Sequence, residues 1–217
     1  MYRAADKELA KIQAYLKREA LKLDNTGFDQ FHTLTVQTIT TRLMKRLKKK
    51  NEDSFWIVAL IAYEDAVSEA RKRGFTGRAG GLASSWLDNL LKKPNAVTGY
   101  LYNPEADRKR LRLSEAISTA LFYKDHGLKR KEVQRFFNLW FRQTTQYMID
   151  TVDSAETQAW LDLGVEYAQW KTAGDEKVCP ECRDLNNKIF PVDDFPAKPH
   201  YNCRCRKVPM PKGWKPI

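Results

Sequence analysis

The sequence predicts a mainly α-helical chain: a helical N-terminal body followed by a small C-terminal α+β or β module that carries a pair of Cys/His knuckles. Three observations point there. Apolar residues recur at three-and-four spacing through the first 163 residues, the mark of amphipathic helices. At Gly164 the pattern switches to alternation in Val165-Glu166-Tyr167-Ala168-Gln169-Trp170, which reads as a strand. All four cysteines, with His200 among them, lie between Cys179 and Cys205. The expected division is a body over 1–163 and a module over 164–217.

Taken in order, Leu9, Ile12, Leu16, Ala20 and Leu23 define a first helix over about 6–23, ended by Asn25-Thr26-Gly27. A second is expected from Asp29 to Lys50 with Phe31, Leu34, Ile39, Leu43 and Leu47 inward. Its closing lysines would suit the negative end of the helix dipole. Asp53 or Ser54 can cap a third helix over 55–70, and its segment Phe55–Tyr63 (FWIVALIAY) reads as buried. Arg73–Gly81 is glycine-rich and reads as a loop. Leu82, Trp86, Leu87, Leu90 and Leu91 give a short helix that Pro94 stops. After a brief extended turn at 97–102, Pro104 opens a helix over 105–123 with Leu111, Ile117, Ala120 and Leu121 inside. A long helix over 129–153, continuing to Leu163, carries an aromatic stripe of Phe136, Phe137, Trp140 and Tyr147, which reads as core. In the module, Lys188-Ile189-Phe190 and Cys203–Val208 are further extended pieces.

Composition narrows the function classes. Hydrophobic residues at 42% over 217 residues suffice for a sizeable core. No apolar run approaches the ~18 residues of a membrane span, and the N-terminus lacks the apolar core of a signal peptide, so no membrane is expected as a partner. A net charge of +11 favours a polyanion such as nucleic acid, or is simply a basic surface. Arg42, Lys45, Arg46, Lys48, Lys49 and Lys50 form the candidate nucleic-acid contact, with a second basic run at Arg108, Lys109, Arg110 and Arg112. A solvated helix face explains such runs equally well.

The cysteines are spaced C-x2-C-x17-H-x2-C-x-C. Two ligand-rich knuckles joined by a loop can surround a tetrahedral ion, so Cys179, Cys182, His200, Cys203 and Cys205 are five candidate donors for four positions on zinc. Sequence does not choose among them. Disulfides are a second reading, unsupported by any export signal. Redox or metal-dependent nuclease chemistry is a third, but a nuclease needs an open metal position and a general base. His32 and His126 lie far off in helical or turn contexts, and Asp175, Asp184, Asp193 and Asp194 are the nearest carboxylates.

The string Trp170-x-Thr172-x-x-Asp175-x-x-Val178-Cys179-x-x-Cys182, with Pro196-x-x-Pro199-His200-x-x-Cys203-Arg204-Cys205, resembles the C-terminal module of the Mu F-like minor head proteins of tailed bacteriophages. The upstream VTGYLYNPEADRKRLRLSEAI resembles their helical part more loosely. Asn187 stands where that pattern usually has glycine, and Tyr201 where it has proline after the histidine. The resemblance implies a minor capsid protein, not an enzyme, that takes part in procapsid and head assembly. Its implied partners are the portal, major capsid and scaffolding proteins and phage DNA. Its implied place is the virion head, by way of the host cytoplasm. It also implies a metal site at the five donors above. Some relatives carry an extra enzymatic domain; with nine residues after Val208, none is expected here.

Overall fold

A computed structural model describes residues 3–175, 178–201, 203 and 205–216, the side chains of His32 and Thr33 excepted. The chain folds as α1 (Arg3–Asn25), α2 (Phe28–Thr33), α3 (Val36–Lys72), α4 (Trp86–Leu91), α5 (Tyr102–Phe122), α6 (His126–Asp162), β1 (Tyr167–Lys171), α7 (Pro180–Leu185), β2 (Ile189–Pro191) and β3 (Arg206–Pro209). It is mainly helical with a small C-terminal sheet, as the periodicities predict. At ~1.5 Å rise per residue the 37-residue α3 and α6 each run about 55 Å. They pack on each other, and α1 and α5 both pack on the pair.

Local chemistry sets the helix ends. The Thr35 hydroxyl accepts the Thr38 N–H at 3.3 Å, and the Asp125 carboxylate accepts that of Leu128 at 2.9 Å, which satisfies amides the helix leaves without partners. At the far end of α1, Lys129 Nζ donates to the carbonyls of Asp24 at 2.5 Å and Thr26 at 2.7 Å. A buried ammonium thus caps a helix C-terminus, where the dipole favours a cation. Burial nonetheless holds its pKa below the usual lysine value.

Three sequence expectations change. The second expected helix, from Asp29 to Lys50, breaks at Leu34-Thr35 into α2 and the start of α3, and its later part is one with the third: α3 runs unbroken through Asp53 and Ser54. Neither residue caps, because Ser54 donates to Glu8 on α1 at 3.0 Å and Asp53 accepts from Lys49 at 2.6 Å. The lysines at 48–50 therefore sit in mid-helix, and the dipole accounts for none of them. Leu34 and Leu111, expected inside, are exposed. So are Ile57, Leu60 and Ile61 of the segment read as buried, at 45, 43 and 42%.

The core is built around rings on α3, α5 and α6. Tyr102 lies 6.0 Å from Phe55, 6.2 Å from Trp140 and 5.0 Å from Tyr147, centroid to centroid. Trp140, Trp160, Phe55, Ile117 and Met148 are fully enclosed, so the aromatic stripe is core as read.

The sheet is antiparallel with strand order β2-β1-β3, pairing Ala168 with Phe190 on one side and Gln169 with Val208 on the other. Along β1 the alternation sends Ala168 and Trp170 inward. Val165, Ala168 and Val192 join the helical core, whereas Trp170 belongs to a second cluster with Cys182, Cys203 and Cys205. The chain then returns to the body, where Lys212 N–H donates to the Arg73 carbonyl at 3.0 Å and Trp214 meets Tyr167 edge-on.

Asn187 makes the turn into β2 with φ of +67°, in the left-handed region that glycine or asparagine enters at least cost. That matches the departure noted in the sequence. Asn187→Gly is expected to leave stability nearly unchanged. Asn187→Val should lower it by about 1–2 kcal/mol in urea denaturation, the cost of a β-branched residue held at positive φ.

Candidate metal centre

Three turns bring the donors together. Pro180 at the first helical position and Glu181 in the first turn start α7, with Cys179 as its N-cap and Cys182 one turn on. The Cys182 N–H points at Cys179 Sγ at 3.3 Å. His200, Cys203 and Cys205 come from the segment entering β3. The spacing predicted the donors but not α7, which Pro180 and Glu181 after a capping side chain could have signalled.

Among the described residues, two groups of three hold their ligand atoms within 4.8 Å of one another: Cys179, Cys182 and His200, and Cys182, Cys203 and Cys205. All five predicted donors are therefore gathered, and Cys182 is common to both groups. Its sulfur lies 3.3 Å from His200 Nε2 and 3.5 Å from Cys203 Sγ. The latter is far beyond the ~2.05 Å of a disulfide, and all four cysteines are free.

These residues fit a structural zinc site on two counts. His200 Nδ1 lies 2.8 Å from the Tyr201 carbonyl, which fixes the proton on Nδ1 and leaves Nε2, the atom beside Cys182, with a lone pair for a metal. Second, burial pushes the Cys182 thiol above its usual range, and the sulfurs of Cys179, Cys205 and Cys203 beside it push it further. Cys203 is raised by burial too. Buried thiols that resist ionisation alone are stabilised as thiolates by a divalent cation, which supplies the missing positive charge. Trp170 closes the site from the sheet side and stacks on Phe195 at 5.8 Å with the planes 8° apart. Neither donor group contains a carboxylate. His126 stacks on Phe28 in the body, and the side chain of His32 lies outside the described residues, as do Asn202 and Arg204 of the knuckle motif.

A charged seam that no sequence signal foretold joins the module to α6. Asp150, Asp153 and Glu156 follow one another at helical spacing on α6, and Lys198 and Lys207 face them from the module. Lys198 pairs with Asp153 at 3.3 Å, and Lys207 donates to Thr157 at 2.7 Å and to the Asp153 carbonyl at 3.1 Å. Asn95 and the Ala96 N–H hold Asp150, which burial still lifts to about 6. Glu156 is 1% exposed and one of its oxygens has no hydrogen bond; burial and then Asp153 raise it to about 8. Lys207 is lowered by burial.

Glu156 ties the stability of the fold to pH. Between the ordinary carboxylate range and about 8 the folded state holds a proton that the unfolded state has released, so stability falls as pH rises across that window. Glu156→Gln should remove this slope, which can reach about 1.4 kcal/mol per pH unit for one proton. Thermal unfolding of both chains from pH 5 to 8 should show the variant gaining on the parent as pH rises.

The basic residues are distributed differently from a single patch. Arg46 pairs with Glu19 on α1 at 2.6 Å and Lys49 with Asp53, whereas Arg42 and Lys45 are exposed and Lys48 and Lys50 half-buried. Arg110 of the second run reaches Thr41 at 3.5 Å, so α5 brings that run beside the start of α3. Arg108 and Lys109 both pair with Glu105. No helix among the described residues is long and apolar enough to cross a membrane.

Comparison with known proteins adds one finding. Neither a curated protein nor a solved structure matches the chain. A family model described as "Phage Mu protein F like protein" matches residues 122–208, from the last residue of α5 through α6 and the metal module into β3. That is fewer than half of the 217 residues. Over the stretch that carries the seam and the donors, this chain is related to Mu F-like phage proteins.

Proposed function

We propose that the chain is a minor head protein of a tailed phage that takes part in procapsid assembly, inside the head or near the portal. The match over residues 122–208 carries this reading, because it covers α6 and the whole donor set as one unit. In this reading α6 is the platform on which the C-terminal module is mounted. Zinc on four of Cys179, Cys182, His200, Cys203 and Cys205 holds three short strands that bury little apolar surface of their own. In this reading the module is structural rather than catalytic, because five protein donors are at hand for four positions and none is left open for water. Contacts with portal, major capsid and scaffolding proteins fall to the helical body.

DNA contact is part of the same proposal. Arg42 and Lys45, exposed on α3 and in no ion pair among the described residues, are its carriers. Affinity for random duplex DNA should fall linearly in log K against log salt, by roughly 0.9 per phosphate contacted. A flat profile removes DNA from the reading.

The test of the assembly role is composition. In a phage that encodes this chain, purified heads should contain it in few copies by quantitative mass spectrometry, and disrupting its gene should reduce finished heads. Heads that lack the protein and form normally without it would overturn the proposal. Cleavage of DNA by the purified chain in magnesium or manganese would replace it with the nuclease reading.

A further inference from the structure

Three of the five donors lie on one short segment, and a lysine marks each of its ends. Lys198 stands two residues before His200, and Lys207 two residues after Cys205. Both reach back to α6. The Lys198 ammonium pairs with the Asp153 carboxylate at 3.3 Å, and Lys207 Nζ donates to the Thr157 hydroxyl at 2.7 Å and to the Asp153 carbonyl at 3.1 Å. Between them the Arg142 guanidinium lies 4.4 Å from the centre of the Tyr201 ring. The Tyr201 carbonyl is the group that holds His200 Nδ1. At ~100° per residue Arg142, Asp153 and Thr157 fall within about 60° of one another, so a single stripe of α6 meets the segment at three places.

These contacts place the segment more than they glue it. The Lys198 and Asp153 side chains are both largely buried. Taking such a pair out of water costs about as much as its attraction returns, so apolar side chains of the same size would bind the module to α6 at least as well. What the charges add is direction and distance, and a ligand set needs its atoms held to within about 0.5 Å. Packing alone does not supply that here. A groove of about 440 Å³ lies beside the pair, lined by Trp86, Leu90, Thr157, Phe195 and Lys198 among others. Lys207 also carries the contact inward. Its Nζ lies 5.2 Å from the centre of the Phe195 ring, which stacks on Trp170 against the cysteines.

We propose that Asp153 and Thr157 of α6 are positioning residues for the metal, acting through Lys198 and Lys207. The proposal rests on the structural-zinc reading of the module. By fixing both ends of the segment they set His200, Cys203 and Cys205 at the spacing zinc requires before it binds, so the cost of ordering falls on folding and not on metal binding. The coupling is reciprocal, and zinc strengthens the hold of α6 on the module by the same factor.

Zinc affinity of the full chain, measured by competition with a chromophoric chelator, tests this. Thr157→Val keeps the shape and loses the hydroxyl that meets Lys207, and it should weaken zinc binding about tenfold. Thr157→Ser keeps the hydroxyl and should bind as the parent does. Asp153→Asn removes the charge that faces Lys198 and should weaken binding at least as much as Thr157→Val. Cobalt(II) loaded in place of zinc should absorb alike in all four chains, because its ligands are unchanged. A role confined to holding the module in place would lower the urea stability of metal-free and metal-loaded chains equally and leave the affinity at its parent value, which overturns the proposal. So does a cobalt spectrum altered by Asp153→Asn, which makes that carboxylate a ligand. A parent chain that binds no zinc overturns the structural-zinc reading and this proposal with it, whereas unchanged affinity in the variants leaves that reading standing.

Discussion

Replacing Cys182 with serine is expected to strip the metal from the module and loosen its sheet while the helical body stays folded. Cys182 is the donor common to both groups, within 3.3 Å of His200 Nε2 and 3.5 Å of Cys203 Sγ. The one four-donor set that omits it, Cys179, His200, Cys203 and Cys205, leaves the α7 knuckle a single donor. Serine keeps the volume and lacks the soft thiolate that zinc prefers. Whatever metal binding adds to the folded state is then lost, about 4 kcal/mol at a free metal level a thousandfold above the dissociation constant. Hydrogen exchange should report it as lost protection in β1, β2 and β3, with α3 and α6 little changed. Cys179 and Cys205 belong to one group each, so their serine variants should cost less. Equal loss at all three would mean that Cys179, Cys182 and Cys205 are all among the four ligands.

Trp160→Ala should be the most damaging single change in the helical body. The indole is fully buried where α6 crosses α3, and its Nε1 donates to the Ala66 carbonyl at 3.3 Å. The next residue but four, Val165, folds back to donate its N–H to the Trp160 carbonyl at 2.9 Å, which ties the end of α6 to the turn into the sheet. Removing it leaves a cavity that the two long helices cannot close, at about 3–5 kcal/mol. Leu161, its neighbour, is 44% exposed, and Leu161→Ala should stay within about 0.5 kcal/mol. Urea denaturation of the pair separates loss of the buried indole from any general weakness of the helix end.

What the sequence foretold depended on how local the physics was. α6 was legible because its aromatic stripe keeps one period and Gly164, at φ of +74°, ends it. The donors were legible because metal chemistry constrains residue type and spacing together. Asp53 and Ser54 misled because capping residues look alike whether or not the backbone leaves the helix. Here Glu8 and Lys49 supply their partners instead, and apolar positions continue through Leu47, Phe55 and Val58. The seam was invisible for the opposite reason. Lys198 and Lys207 meet Asp153 and Thr157 across some fifty residues of chain, and no local pattern marks either side. The exposed stripe on α3 misled because periodicity can report that a helix is apolar on every side but not whether its own chain covers it.

The C-terminal module is expected to hold one structural zinc per chain. Native mass spectrometry of the full-length protein, purified without added metal and compared with a denatured sample, measures it directly. The prediction is a folded monomer unit heavier by one zinc, losing it to a chelator together with the sheet's hydrogen-exchange protection. A folded chain at its metal-free mass, with the sheet equally protected before and after chelation, would contradict it.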